Sequence, residues 1–334
     1  MAASNLGRVI KRAATAILVT VGLAVAVAGC STTEPGDRPL VMGASDMPAM
    51  QVMAQIYAGA LRHAGSAVSS DTRAGDYRTL LDDMDATSVD LFPAFSGRLL
   101  SQLAPQLAPA TADETYTDLN RSLPQGVSIG DPTMVVATPQ VIVAASVAEQ
   151  RKVTELADCA QMSSGLPVVV VGAPDAATIE AFTATGCRFG PVESVPTTAA
   201  AIERIAGGRA VGILTPLDVA GDDAEGAADE IRALQAPAPA ADSAAAPAAS
   251  GSGAQSGPAE QSGSATTGIV VAGPRAQQLV PVYRTAALSR DEMQTVNKVA
   301  GELTTADLAT LAGRAATGAD TRELADGWLA EHGL

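Results

Sequence analysis

Residues 39–48 read Pro-Leu-Val-Met-Gly-Ala-Ser-Asp-Met-Pro. The apolar start predicts a first strand that ends at Gly43. Ala44 to Pro48 then predicts a strand-to-helix loop, in which Asp46 is placed to cap the helix and Pro48 suits its first turn. Beyond it Val52, Met53, Ile56, Tyr57, Ala60 and Leu61 recur at steps of three and four, the spacing of a helix with one inward face. Gly65 closes that helix.

The alternation continues outward. Residues 76–85 predict a helix, Val89–Phe92 a strand, 134–145 an extended stretch, and Val168–Val171 a fully apolar strand. Residues 198–206 predict another helix, with a strand at Ala210–Leu214. Strands alternating with helices define an α/β fold with mostly parallel sheets. Residues 236–266 break the pattern, being almost entirely Ala, Pro, Ser, Gly and Gln. Without large apolar side chains they cannot offset their ordering entropy, which predicts a disordered insertion. Strand patterns return at Gly268–Ala272 and Leu279–Tyr283. The C-terminal region reads as helical: Ser289 and Glu292 have capping-box spacing, and Asp320 with Glu323 opens a last helix that buries Leu324, Trp328 and Leu329.

The N-terminus carries an address. A basic head (Arg8, Lys11, Arg12) precedes an apolar run from Ala13 to Ala28, then Val-Ala-Gly-Cys ending at Cys30. This is the layout of a secretory signal peptide, with an apolar run short of the about 20 residues of a membrane span. The Cys after Val-Ala-Gly resembles the bacterial lipobox. Residues 1–29 are then a lipoprotein signal peptide, Cys30 the lipid-carrying (palmitoylated) first residue, and 30–38 a tether. A plain signal peptide or a single-span anchor with an incidental Cys is the competing reading. Removing residues 1–29 takes away three basic and no acidic residues, leaving 18 basic against 36 acidic side chains and a mature charge of −18. Such a surface argues against nucleic acid as a partner and against electrostatic adhesion to anionic lipid. Anchoring falls to the covalent lipid.

Cys159 and Cys187 remain. Outside the cytoplasm such a pair tends to oxidise, so a disulfide is expected, the alternative being two buried thiols. Catalytic chemistry is scarce. The chain holds two histidines, His63 and His332. It has no Cys/His spacing suited to a metal, no phosphate loop or dinucleotide fingerprint, and no nucleophile elbow. Neither an enzyme nor a cofactor is expected.

Three segments carry a resemblance: Val41 to Gly65; Ser88-Val-Asp-Leu-Phe-Pro-Ala-Phe-Ser-Gly97; and Val280-Pro-Val-Tyr-Arg284 with Leu303–Leu308 and Leu324-Ala-Asp-Gly-Trp-Leu-Ala-Glu-His-Gly-Leu334. Together they resemble the solute-binding proteins of glycine betaine/choline/carnitine (quaternary amine, osmoprotectant) ABC importers. Those proteins show a Gly-Ser-Lys-Asn-Phe-like loop, an Asp-Leu-Tyr-Pro-Glu-Tyr-Thr-Gly-like motif and a closing Phe-Leu-x-x-x-Gly-Leu. The resemblance implies a two-lobed periplasmic-binding-protein (type II) fold. Lobe I would hold 39–130 and 275–334, and lobe II 135–235, with hinge crossings near 131–136 and 268–275. It implies a small-molecule ligand, an ABC permease with its ATPase as partner, and a place on the outer face of the cell membrane. A binding-fold envelope lipoprotein that senses or scaffolds and no longer transports is the runner-up.

The family holds a quaternary ammonium, which has no hydrogen to donate, against aromatic ring faces. By the resemblance Asp90, Phe92 and Phe95 fall on its Asp-x-Tyr and second Tyr. Ser45 and Asp46 fall on the first loop, Asp131 and Thr133 near the first crossing, and Thr215 on a lobe II loop. Tyr77, after Gly75-Asp76, is placed to reach the cleft. With nine aromatic residues in the chain, and Phe182 and Phe189 better explained as core, the lobe II half of a ring cage is missing.

Overall fold

The computed structural model describes residues 38–108, 110–162, 165–221, 228–236 and 273–334. The predicted signal peptide, Cys30 and the tether up to residue 37 lie outside them, as do the insertion from residue 237 and the strand expected at Gly268–Ala272. Among the described residues no helix is long and apolar enough to cross a membrane.

The chain enters as β1 (Leu40–Ala44), α1 (Pro48–His63), β2 (Val68–Ala74), α2 (Tyr77–Asp85), β3 (Leu91–Phe95), α3 (Ser96–Leu103), α4 (Ala112–Ser122) and β4 (Val127–Ile129). It then builds β5 (Gln140–Ala144), α5 (Ala145–Arg151), α6 (Cys159–Met162), β6 (Val168–Val171), α7 (Ala176–Ala184), β7 (Val192–Val195), α8 (Thr198–Ala206), β8 (Val211–Leu214), α9 (Pro216–Val219) and β9 (Ile231–Ala233). It returns as β10 (Leu279–Arg284), α10 (Arg290–Glu302), α11 (Thr305–Ala316) and α12 (Thr321–His332).

Two five-stranded sheets result, in the orders β2-β1-β3-β10-β4 and β7-β6-β8-β5-β9. They repeat one plan. Each has three neighbouring parallel strands, then one strand antiparallel to both its neighbours. In both sheets that reversed strand, β10 or β5, is the one the chain enters after passing from the other sheet. The first sheet is therefore completed by a strand about 240 positions downstream of its start.

Burial explains the strand assignments. β3 is buried throughout, and β1 nearly so. α1 packs an almost wholly apolar surface between β1 and the C-terminal helices α10–α12, with Met50, Val52, Met53, Ile56, Tyr57 and Leu61 fully buried. The opposite face of the sheet is covered by α2, α3 and α4 around Leu80, Phe92, Leu99 and Leu119. Gly43 makes that cover close-fitting: a Cβ there would stand 2.7 Å from Leu80 Cδ2. Trp328 is core at 5% exposure.

Three details differ from the sequence reading. The N-cap of α1 is Met47, with no side-chain cap, while Asp46 is exposed; Pro48, which needs no N–H partner, makes a capping acceptor less necessary. The expected extended stretch 134–145 narrows to β5, preceded by a single bridge from Val136 to Gln278. An edge strand, β2, was not foreseen; its Val-Ser-Ser-Asp-Thr-Arg-Ala sequence has only one neighbour and stays largely exposed, so it lacks an apolar pattern.

Cys159 and Cys187 are joined, tying α6 to the segment after α7. Closing that loop contributes about 3.5 kcal/mol by the chain-entropy relation.

Candidate functional site

Two chain segments connect the sheets, and they lie side by side. Thr133 N–H donates to Leu279 O at 2.9 Å, Leu279 N–H to Val135 O at 3.3 Å, and Ala137 N–H to Gln277 O at 2.9 Å. Gln277 N–H donates to Thr138 Oγ1 at 2.8 Å. The crossings are thus an antiparallel pair, and beside them α9 packs on α11, with Leu217 against the core of the first half; two adjacent crossings of this kind are the construction of a hinge. Gly97 lets α3 approach this pair: a Cβ there would lie 2.3 Å from Ala276 O.

Against the crossings opens a cleft of about 1040 Å³, with a smaller recess of about 200 Å³ that shares Met47, Arg98, Ala137 and Pro139 with it. The first lobe contributes Ser45, Asp46, Met47, Asp76, Tyr77 and Arg98; the second contributes Asp175, Thr178 and Glu180; the crossings add Ala137, Pro139, Arg275 and Gln277. Phe95, Thr215 and Asp218 line the recess.

The structure divides the nine ligand-site residues expected from sequence; Asp131, at the first crossing, is exposed and lines neither the cleft nor its recess. Ser45, Asp46, Tyr77, Phe95 and Thr215 reach the cleft or its recess. Asp90, Phe92 and Thr133 do not. Asp90 is fully buried, and its carboxylate is committed to the fold: it accepts from Arg284 Nε and Nη2 at 3.0 and 2.7 Å, from Arg38 at 2.5 Å, and from Val41 N–H at 2.9 Å. Full burial keeps it out of reach of a ligand. Phe92 is fully buried and stacks on Tyr77 at 6.1 Å. The Thr133 hydroxyl accepts from Val135 N–H within the crossing.

The residues that do reach the cleft expose little ring surface. Phe95 and Tyr77 are 2% and 6% exposed. The Tyr77 hydroxyl accepts from Phe95 N–H at 2.9 Å, and burial pushes its pKa up to about 12. Thr215 caps α9 through Asp218 N–H. Phe182 and Phe189 pack in the second lobe's core. No ring cage exists among the described residues.

Donors are more prominent than rings. Arg98 faces both the cleft and its recess. Its backbone N–H is held by Gln277 Oε1 at 2.9 Å, while among the described residues its guanidinium has Met47 Sδ, at 3.2 Å, as its hydrogen-bond partner. Arg275 gives one Nη2 bond to Leu107 O, while its Nη1 is buried without a partner; burial lowers its pKa. Ser45 Oγ is also buried and unpartnered. A buried donor or acceptor left unsatisfied costs about 1–3 kcal/mol; Ser45 and Arg275 carry that cost in the cleft wall, as Gln55, Tyr57 and Trp328 do elsewhere in the first lobe. Sequence reading passed over Arg98, Arg275 and Gln277 because their meeting depends on segments about 180 residues apart.

Two α/β lobes of one topology, joined by two adjacent crossings over a polar cleft, define a two-lobed solute-binding protein of the type II periplasmic kind. The substrate-binding domain of ABC-type glycine betaine transport systems matches residues 38–210, and the chain belongs to that family. It is thus a solute-binding component of ABC-type transport. Among solved structures it resembles a glycine betaine/carnitine/choline ABC transporter protein (TM-score 0.62, 12% identity, 88% of this chain and 98% of that one). It also resembles apo YehZ from Escherichia coli (TM-score 0.58, 19% identity, 88% and 99%). No curated protein matches it by sequence.

Proposed function

We propose that this protein is a lipid-anchored receptor on the outer face of the cytoplasmic membrane. It captures a small compatible solute, betaine- or choline-like in size and in carrying a positive head, and delivers it to an ABC permease with its ATPase. The observation that carries this reading is the cleft itself, about 1040 Å³, walled by both lobes and spanned by two crossings. A solute touching both lobes favours closure because only the closed form offers both sets of contacts. The open volume also favours transport over the sensor or scaffold reading, which expects a cleft plugged by its own side chains. The arrangement of the residues does not call for catalysis: of the lining carboxylates, Asp76, Asp175 and Asp218 act as helix caps or capping-box partners, and Asp46 and Glu180 stand exposed on opposite walls with no base or nucleophile paired to them among the described residues. The anchoring at Cys30 rests on the Val-Ala-Gly-Cys sequence after its basic and apolar head.

A thermal-shift screen of the mature chain with betaines, choline, carnitine, amino acids and polyols tests capture. A true solute at 100 times its Kd adds about 2.7 kcal/mol of stability. A panel without any shift contradicts the reading. For the anchor, Cys30→Ala is expected to abolish lipid labelling; unchanged labelling contradicts it.

A further inference from the structure

We propose that the cleft selects a zwitterion with a hydrogen-bearing ammonium, an amino acid or close analogue, whose carboxylate binds Arg98 and Ser45 of the first lobe and whose ammonium binds Glu180 and Asp175 of the second. This deepens the capture reading and rests on it.

The anionic end follows from donors that lack acceptors. Arg98 presents a guanidinium into the cleft with a thioether sulfur as its one polar contact and no carboxylate partner among the described residues. Ser45 and Arg275, each nine-tenths buried in the cleft wall, hold an unpartnered Oγ and an unpartnered Nη1. The exposed Arg98 guanidinium calls for a ligand rich in acceptors, since it matches a carboxylate two bonds at a time; Ser45 Oγ and Arg275 Nη1 are enclosed by the wall and add a bond only when the wall shifts on closure. Choline has no such group.

The cationic end follows from what stands opposite. A quaternary ammonium needs ring faces because it has no N–H to give. The cleft offers Phe95 and Tyr77 almost wholly covered, and both sit on the first lobe. The second lobe instead turns carboxylates inward: Glu180, whose side chain is uncommitted, and Asp175, which caps α7 yet keeps lone pairs to spare. An N–H-bearing ammonium bonds such oxygens directly, whereas each added methyl removes a donor and holds the charge farther away. Arg98 on the first lobe and Glu180 on the second line the same cleft, to which the first lobe also presents Asp46 and Asp76; one zwitterion reaching from Arg98 to Glu180 bridges the lobes, and closure is coupled to its full length.

Isothermal titration of the mature chain with matched pairs that differ only in N-methylation reads the selectivity: L-proline against N,N-dimethylproline, and N,N-dimethylglycine against glycine betaine, with choline as the head lacking a carboxylate. The expected result is at least tenfold tighter binding of each N–H-bearing member and no measurable choline binding. Arg98→Gln and Glu180→Gln are each expected to weaken the favoured amine at least tenfold while leaving apo melting unchanged. Equal or tighter binding of the quaternary members, or binding untouched by both substitutions, overturns the inference and leaves solute capture standing. Binding of neutral polyols alone does the same. If no member of either panel binds, both the inference and the capture reading fall.

Discussion

Arg284 donates through Nε and Nη2 to one oxygen, Oδ1, of the fully buried Asp90. The same carboxylate takes Arg38 and Val41 N–H, so β1, the turn into β3 and the returning strand β10 are pinned at one point. Removing the carboxylate strands a largely buried guanidinium, a change that costs about 3–5 kcal/mol. Asp90→Ala is expected to lower unfolding free energy in urea by that amount, and Arg38→Ala, at a half-exposed partner, by under about 1 kcal/mol. Equal, small effects would show the cluster to be incidental.

The tyrosines set an alkaline limit. Burial raises the Tyr77 pKa from 10 to about 12, and Tyr57 is raised further. A group whose folded pKa lies above its unfolded one contributes stability below the unfolded value and loses it as pH climbs. Between pH 10 and 12 the Tyr77 contribution falls by about 3 kcal/mol. Urea midpoints are expected to drop across that window, and Tyr77→Phe to flatten part of the drop. A profile level to pH 12 contradicts the assignment.

The Cys159–Cys187 bond belongs to the second lobe alone. Replacing both with Ala is expected to destabilise the protein by about 3.5 kcal/mol without moving ligand affinity at temperatures where the chain stays folded. A large affinity loss in the folded variant would instead tie the bond to the cleft.

Gly97 is the place where α3 meets the crossing. Because the missing Cβ would strike a backbone oxygen rather than a flexible side chain, Gly97→Ala must shift the crossing or the helix. The expected outcome is a lower melting temperature together with altered solute affinity, typically at a cost of about 1–3 kcal/mol for overpacking. Wild-type behaviour in both measurements would remove this contact from the hinge account.

Much of the fold was legible because its central elements are buried on a regular period. β1, α1, β3 and β10 bear apolar residues at strand or helix spacing, and the caps Ser289 and Asp320 act where they were expected. β2 was not legible because an exposed edge strand needs no apolar face. The site was legible only in part. Sequence singled out Asp90 as a carboxylate among rings, yet its cation is Arg284, which lies 194 residues away and is supplied by the fold itself. Conversely Arg98 reads as an ordinary surface arginine and stays exposed; only the fold shows that it stands beside Met47 and Gln277 on the cleft wall.

Capture by this protein requires the lobes to close on a solute held between them. Spin labels at Gln102→Cys and Ala184→Cys, on opposite cleft walls, report that motion directly. With a saturating solute that binds, the inter-label distance is expected to shorten and narrow in distribution. An unchanged distribution at saturation would contradict the account.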